Sequence, residues 1–305
     1  MRPVVVLTAR FPAIAREILG GLADLVEHPA EQERSEEEMI AILSEADAAI
    51  TLLSDPITRR VLESNPNLRL VANYAVGVNN IDVDAARELG VIVTNTPGVL
   101  TEATADLTMA LILAVTRRVI EGDAEVRRTL RCEWEPLHLL GTGLQGKRLG
   151  IIGMGRIGSA VAQRARAFGM EVIGTRRGQA IDELLASSDI VSIHTPLTRE
   201  TRHLINRETL AAMKRGAYLI NTARGPIADE AALRDALESG QLRGAGLDVY
   251  EDEPRVSPRL AAMPNVVLLP HIGSATEEAR TAMARIAATE VARFLRSEPQ
   301  LHAVT

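Results

Sequence analysis

"RLGIIGMGRIGSAVAQRARAFG", Arg148–Gly169, is a short apolar run, then three glycines spaced G-x-G-x-x-G, then an Ala-rich stretch. Gly153, Gly155 and Gly158 occupy the three spaced positions, and Ile157, Val161 and Ala165 recur behind them at helical spacing. A strand, a tight turn and a helix N-terminus in that order aim backbone N–H groups and the positive end of a helix dipole at one point, the arrangement that cradles a pyrophosphate. A bare G-x-G-x-x-G is a weak signal, because glycines also serve purely structural turns. The flanking strand and helix give this one its weight, and the reading is a dinucleotide-binding α/β unit.

Working outward, the next strand is "EVIGTRRG", Glu171–Gly178. Its end lies about twenty residues beyond the fingerprint, where an Asp or Glu accepts hydrogen bonds from the adenosine ribose hydroxyls of NAD. Here that end reads Gly174, Thr175, Arg176, Arg177, with no carboxylate. Guanidinium groups pair with a 2′-phosphate that a carboxylate would repel, so the reading is a preference for NADP(H), with NAD(H) also admissible. Two solvated loop arginines are the bland alternative.

Before the fingerprint, short β-rich runs alternate with helical stretches: "PVVVLTA", "AIAREILGG", "ADLVEH", "SEEEMIAILSEA", "AAITLLS", "ITRRVLESN", "LRLVANYA", "VDAARELG" and "VIVTN". A second series continues after it through "SDIVSIHTP", "AYLINTA", "GAGLDVYE" and "NVVLLP". Such alternation predicts open, mostly parallel sheets covered by helices, and 305 residues suit about two domains. Between the series, Thr101 is expected to cap one long helix, "EATADLTMALILAVTRRVIEGDAEVRR", followed by an irregular segment from Cys132 to Gly146. The last helix is expected to open on a capping box from Ser274 to Glu277.

Composition narrows the function classes. A net charge of −6 makes no electrostatic case for nucleic acid or an anionic membrane. No run of about 18 apolar residues suggests a membrane span, and the N-terminus does not read as a signal peptide. The single cysteine, Cys132, excludes an intramolecular disulfide framework, fits a reducing compartment and is read as inert; a cytoplasmic protein is expected.

Four further stretches end predicted strands: "NYAVGVNNID", "NTARGP", "LDVYEDEP" and "PHIGSAT". In open α/β sheets ligands sit beyond the carboxyl ends of strands, so Arg224, Glu253 and His271 become candidates although far apart in sequence. Singly, each has a structural account: a solvated turn Arg, an exposed Glu before Pro, a structural His before a helix. Together with "TNTPGVLTEATADL", "HTPLTRETRHLI" and "NTARGPIADEAAL", they make nearly the whole chain resemble the D-isomer-specific 2-hydroxyacid dehydrogenases, most closely the glyoxylate/hydroxypyruvate reductase branch.

The resemblance implies a flavodoxin-like substrate domain over 1–96 and 276–305 and a Rossmann dinucleotide domain over 97–275, both doubly wound, with the active site in the cleft between them. It implies reduction of a small 2-oxo acid, glyoxylate to glycolate or hydroxypyruvate to D-glycerate. Arg224 would hold the substrate carboxylate and polarise the carbonyl, His271 would be the general acid, and Glu253 would orient its ring. Backbone N–H groups around Val76 and Gly77 would also take the carboxylate. For the cofactor, Gly153, Gly155, Arg156, Ile157 and Gly158 would line the pyrophosphate. Thr175, Arg176 and Arg177 would read the ribose, Thr222 and Ala223 would precede the catalytic Arg, and Asp248 and Thr104 would lie near the nicotinamide. Asp248 and Thr104 have plain alternatives as a strand-end hydrogen bonder and a helix-turn hydroxyl.

Trp134 resembles the aromatic that a neighbouring subunit inserts at the active-site rim in this branch, with core or interface packing as the alternative. A homodimer is implied. His194, which has no acidic neighbour in its motif, is read as structural or cofactor-adjacent. The substrate loop departs from the family pattern, since Asn79 stands where many relatives carry an acid. Two rival readings stay open: an NAD-dependent D-2-hydroxyacid or phosphoglycerate-type dehydrogenase, and a non-catalytic NAD(P)-sensing protein like the corepressor relatives.

Overall fold

The structure is a computed structural model and describes residues 2–29 and 33–305. It divides into two compact units, Met1–Leu100 with Ala275–Thr305, and Thr101–Ser274. The divisions fall after Leu100 and Ser274, where the motif reading had 96 and 275.

The first unit runs β1 (Val4–Leu7), α1 (Ile14–Leu19), β2 (Asp24–Glu27), α2 (Glu36–Leu43), β3 (Ala48–Thr51), α3 (Arg59–Glu63), β4 (Leu70–Asn73), α4 (Val83–Leu89) and β5 (Ile92–Thr94). All its strand pairings are parallel, in the order β2-β1-β3-β4-β5. Successive residues of a strand face opposite sides, so β1 sends Val5 and Leu7 to one core and Val6 to the other. Central β3 and β4 are buried throughout, each an apolar run closed by one polar residue, Thr51 and Asn73, whereas edge strand β2 alternates.

The strand order reverses between β1 and β3, the crevice where open sheets of this order take ligands. Here the chain's own side chains fill it. Asp55 accepts from the Thr8 hydroxyl at 2.5 Å and the Leu52 N–H at 2.7 Å. Its other oxygen takes Arg34 Nη1 at 2.9 Å, and Arg34 Nη2 donates to the carbonyls of Thr8 and His28.

The second unit continues with α5 (Thr101–Thr116), α6 (Val119–Thr129), β6 (Arg148–Ile152), α7 (Arg156–Ala167), β7 (Glu171–Thr175), α8 (Asp182–Ser187), β8 (Ile190–Ile193), α9 (Arg207–Ala212) and β9 (Ala217–Asn221). A 3-10 turn (Gly225–Ile227), α10 (Glu230–Glu238), β10 (Leu242–Leu247), α11 (Pro258–Ala261) and β11 (Val266–Leu268) complete it. Its parallel sheet has the order β11-β10-β9-β8-β6-β7 and reverses at β6. Helices α8, α9 and α10 cover one face through Leu185, Leu210 and Leu233, while α5 and α7 cover the other through Ile112 and Val161. The final helix, α12 (Glu277–Leu295), returns to the first unit, where Ala284, Ala287 and Ala288 pack it closely onto the β1–β3–β4 face.

Two helix expectations are corrected. The long helix after Thr101 is two helices, and Thr101 is the first helical residue of α5. Arg118 lies between them at φ +53, with its guanidinium on Glu121 at 2.6 and 2.9 Å. The Thr116 carbonyl, which a continuing helix would use, instead accepts the Thr142 N–H at 2.7 Å. A Cβ on Gly141 would stand 2.4 Å from that carbonyl, so only glycine lets the returning chain approach this closely. At α12 the cap is Thr276, whose hydroxyl accepts the Ala279 N–H at 3.1 Å, in place of a box from Ser274. A capping box that the sequence reading did not single out stands at α2, formed in both directions between Ser35 and Glu38. Among the described residues, no helix is long and apolar enough to cross a membrane.

Candidate active site

The fingerprint turn lies at the carboxyl end of β6, where the sheet order reverses. Its glycines do three different things. Gly153 has φ +102, and a Cβ there would stand 2.6 Å from the His194 carbonyl oxygen, so this turn admits no side chain. Gly158 packs the first turn of α7 onto the strand end, its Cβ position 2.2 Å from the Gly153 oxygen. Gly155, the N-cap of α7, faces open space, with nothing within 4 Å of its Cβ position and no side chain capping the helix. The first N–H groups of a 12-residue helix are therefore not taken by a side-chain cap, beside a position kept clear for close approach. Arg156 and Ile157 open that helix. These features fit a dinucleotide pyrophosphate.

The same turn is tied to β7, because the Gly153 and Met154 N–H groups donate to the Thr175 carbonyl at 3.1 and 2.8 Å. That bond sets Arg176 and Arg177 immediately beside the turn. Both are exposed, and among the described residues neither makes a salt bridge. The Arg176 N–H donates to Gln179 Oε1 at 2.6 Å, which closes the turn after β7 without using either guanidinium. Gln179 was not signalled by the sequence motif.

Arg224 follows β9, Glu253 follows β10 and His271 follows β11, three neighbouring strands of one sheet. His271 Nδ1 and Glu253 Oε2 lie 2.9 Å apart. The other Glu253 oxygen accepts the Tyr250 N–H at 2.9 Å. Burial pushes the Glu253 pKa up, but the His271 hydrogen bond and charge, the Tyr250 N–H and the Arg224 charge together outweigh it and hold the carboxyl below its usual range. Burial lowers the Arg224 pKa and Glu253 opposes that shift; a guanidinium remains charged. One Arg224 donor is spent on the Ala223 carbonyl at 2.6 Å.

His271 sits at φ +56, a region a non-glycine residue occupies only when its surroundings hold it there. Asp248 supplies the hold: its two oxygens accept the Ile272 N–H at 2.8 Å and the Gly273 N–H at 2.7 Å. Asp248 is buried, and desolvation raises its pKa against those bonds. Thr104 of α5 lies against the same spot, its Oγ1 3.6 Å from the Cβ position of Gly273. Thr222 is buried with its hydroxyl 3.0 Å from that of Thr108, and the Ala223 N–H donates to Asn221 Oδ1 at 3.0 Å. Asn221 also donates to the Arg224 carbonyl at 2.9 Å and so brackets the turn that presents Arg224. Tyr250, Asn221 and Thr108 were not foreseen; Asn221 ends β9 and Tyr250 follows β10, whereas Thr108 lies within α5.

His194 pairs with Ser192 Oγ at 2.8 Å, and desolvation lowers its pKa to about 4, so the ring is neutral near pH 7. Its carbonyl is the atom packed over Gly153. In the first unit, Val76 and Gly77 form a loop after β4, with the Val76 carbonyl held by Asn95 Nδ2 at 2.8 Å and the Gly77 carbonyl by Asn73 Nδ2 at 2.9 Å. Trp134 is 95 % exposed in the irregular segment beyond α6.

A nucleotide turn and a histidine–carboxylate pair beside a half-buried arginine, on one parallel sheet, are the layout of a dehydrogenase. Residues 109–273 match the D-isomer specific 2-hydroxyacid dehydrogenase, NAD binding domain, and the chain belongs to that family as an NAD(P)-dependent dehydrogenase of 2-oxo and 2-hydroxy acids. It is 49% identical over 271 residues to the glyoxylate reductase of Thermococcus litoralis, covering 83% of this chain and 82% of that one. Against the glyoxylate reductase of Pyrococcus horikoshii it is 44% identical over 315 residues, 98% of this chain and 94% of the relative. Among solved structures, the NADPH-dependent glyoxylate/hydroxypyruvate reductase of Sinorhizobium meliloti, in complex with NADP and malonate, superposes with a TM-score of 0.85 at 30% identity, covering 100% and 97% of the two chains.

Proposed function

We propose that this chain is an NADPH-preferring reductase of glyoxylate, hydroxypyruvate or both, with His271 as its proton donor. The observation that carries the reading is the His271–Glu253 hydrogen bond beside Arg224. With Nδ1 committed to Glu253, Nε2 is the ring nitrogen left to pass a proton to a carbonyl oxygen. Arg224 keeps unspent guanidinium donors for the substrate carboxylate and draws electron density from the adjacent carbonyl. Backbone N–H groups around Val76 and Gly77 also take the carboxylate, their peptide planes steadied by Asn95 and Asn73. The bound nicotinamide supplies the hydride.

Thr104 and Asp248 lie near the nicotinamide in this reading, and Arg156, Ile157, Thr175, Thr222 and Ala223 line the rest of the cofactor. Arg176, with Arg177, pairs with the 2′-phosphate. The absence of a carboxylate at the end of β7 and the exposure of both guanidinium groups support NADPH over NADH. The NADP complex of the Sinorhizobium meliloti relative supports the same choice. A homodimer belongs to the proposal. α6 buries none of its residues, and Ile120, Val126, Leu130, Trp134, Leu137 and Leu140 are exposed on it and the segment after it, an apolar surface that a second copy would cover.

Catalytic efficiency measured for glyoxylate, hydroxypyruvate and larger 2-oxo acids against NADPH and NADH tests the reading. NADPH is expected to win with the small acids, and replacing Arg176 and Arg177 together should raise the KM for NADPH far more than that for NADH. Equal effects on both cofactors would remove the 2′-phosphate assignment. No turnover with any 2-oxo acid would sink the reductase.

A further inference from the structure

A second histidine–carboxylate pair lies in the same unit, apart from the one assigned to proton transfer. His203 Nε2 and Glu251 Oε1 are 2.6 Å apart. Glu251 Oε2 accepts the Glu230 N–H at 3.1 Å, and the Glu251 N–H donates to Glu230 Oε2 at 3.3 Å. The His203 N–H donates to the Pro226 carbonyl at 2.9 Å, the Ile205 N–H to the Ile227 carbonyl at 3.0 Å, and the Asp229 N–H returns to the Ile205 carbonyl at 2.8 Å. His203 holds φ +50, a conformation that an L residue keeps only when tethered.

Three segments therefore meet at this pair: the 203–205 stretch, the turn that follows Arg224, and the turn that presents Glu253. They leave little freedom to shift independently. A Cβ on Gly225 would stand 1.7 Å from the Tyr250 carbonyl oxygen, so the residue after Arg224 lies flat against the Tyr250–Glu251 peptide, whose N–H donates to Glu230. Glu251 is two residues from Glu253, and Pro226 is two residues from Arg224.

We propose that His203, acting through Glu251, is a positioning residue that holds the Arg224 and Glu253 turns in register. Neither side chain needs to touch the substrate for this. The bidentate use of Glu251 fixes one end of the 250–253 turn, and Glu253's own bond to Tyr250 fixes the other. Loss of the His203 contact frees the first anchor, and displacement of catalytic groups by about an ångström is enough to cost up to a hundredfold in rate.

The inference rests on the reductase reading, and the test separates the two. His203→Ala should lower kcat about ten- to a hundredfold with the KM for NADPH changed less than about twofold, because the cofactor turn at Gly153–Gly158 lies elsewhere on the sheet. His203→Gln, whose amide nitrogen reaches about as far as Nε2, should recover most of the lost rate. Backbone amide exchange reads the same clamp without turnover: residues 222–230 and 250–253 should exchange faster in the Ala variant and near the wild-type rate in the Gln variant. A kcat within twofold of wild type in His203→Ala, equal losses in Ala and Gln, or unchanged exchange in both segments overturns the proposal. If the wild type reduces no 2-oxo acid, the reductase reading fails and exchange alone decides the clamp. If the Ala variant does not fold, the Gln variant decides it, with full activity expected and a loss like that of an uncoupled site refuting it.

Discussion

Alanine at Gly153 and alanine at Gly155 should break the protein in opposite ways, although the two glycines are neighbours in one motif. At Gly153 the backbone has φ +102, and the new Cβ would meet the His194 oxygen at 2.6 Å, its carbonyl carbon at 2.7 Å and the Thr195 nitrogen at 2.9 Å, all main-chain atoms. A non-glycine residue at such a φ costs about 1–3 kcal/mol, and forcing atoms into a packed site costs about 1–3 more. The sum, about 2–6 kcal/mol, should lower the melting temperature of a unit this size by roughly 5–20 °C. At Gly155 φ is −81 and the Cβ meets nothing within 4 Å, so the fold should be unaffected or stiffened by about 0.4–1 kcal/mol. The added methyl instead stands where a phosphate must approach the α7 N–H groups. Losing one charge-assisted hydrogen bond of about 1.5–3 kcal/mol weakens binding about ten- to a hundredfold. Thermal melts without cofactor and NADPH titrations by fluorescence measure the two quantities separately. Wild-type NADPH affinity in Gly155→Ala would refute the assignment of this turn, and equal destabilisation by both changes would refute the geometry.

Three further outcomes are expected. His271→Ala should cut the reductive rate by about two to four orders of magnitude with NADPH binding retained, and a nearly unchanged rate would reject this ring as proton donor. Asp55→Ala leaves the buried Arg34 guanidinium without its counter-ion and should cost about 3–5 kcal/mol in urea unfolding; a loss under 1 kcal/mol would show the pair to be dispensable. His194 has its folded-state pKa depressed to about 4 from 6.5, so the unfolded chain takes up the proton first. Stability from this group is complete above pH 6.5 and declines as pH falls through about 4, by up to about 3 kcal/mol. His194→Gln should flatten that part of the stability curve, and an unaltered slope would place the acid sensitivity in other groups.

Much of the molecule was legible before any coordinates. The fingerprint strand, turn and helix, the alternation of strands and helices, and Arg224, Glu253 and His271 at strand ends all depend on local spacing and on rules that parallel sheets impose on their connections. Local patterns misled where a distant segment decided the outcome. The apolar periodicity from Thr101 to Arg128 runs on as one helix, yet the Thr142 N–H and the close approach of Gly141 take the Thr116 carbonyl and end it. Nothing near Thr116 in sequence announces residues 141 and 142.

The same division runs through the site. Sequence by itself determined which residue types were present: a glycine turn suited to a pyrophosphate, arginines in place of a ribose-binding carboxylate, and a histidine, a glutamate and an arginine at strand ends. Only the tertiary structure decided how they are held. It brings Glu253 Oε2 to His271 Nδ1, spends both Asp248 oxygens on the amides after His271, and locks Glu251 to His203 and Glu230. The reason is physical: residue identity and spacing set local conformation, whereas hydrogen bonds between residues as far apart as His203 and Glu251, 48 positions, form only after the sheet has brought the ends of its strands together.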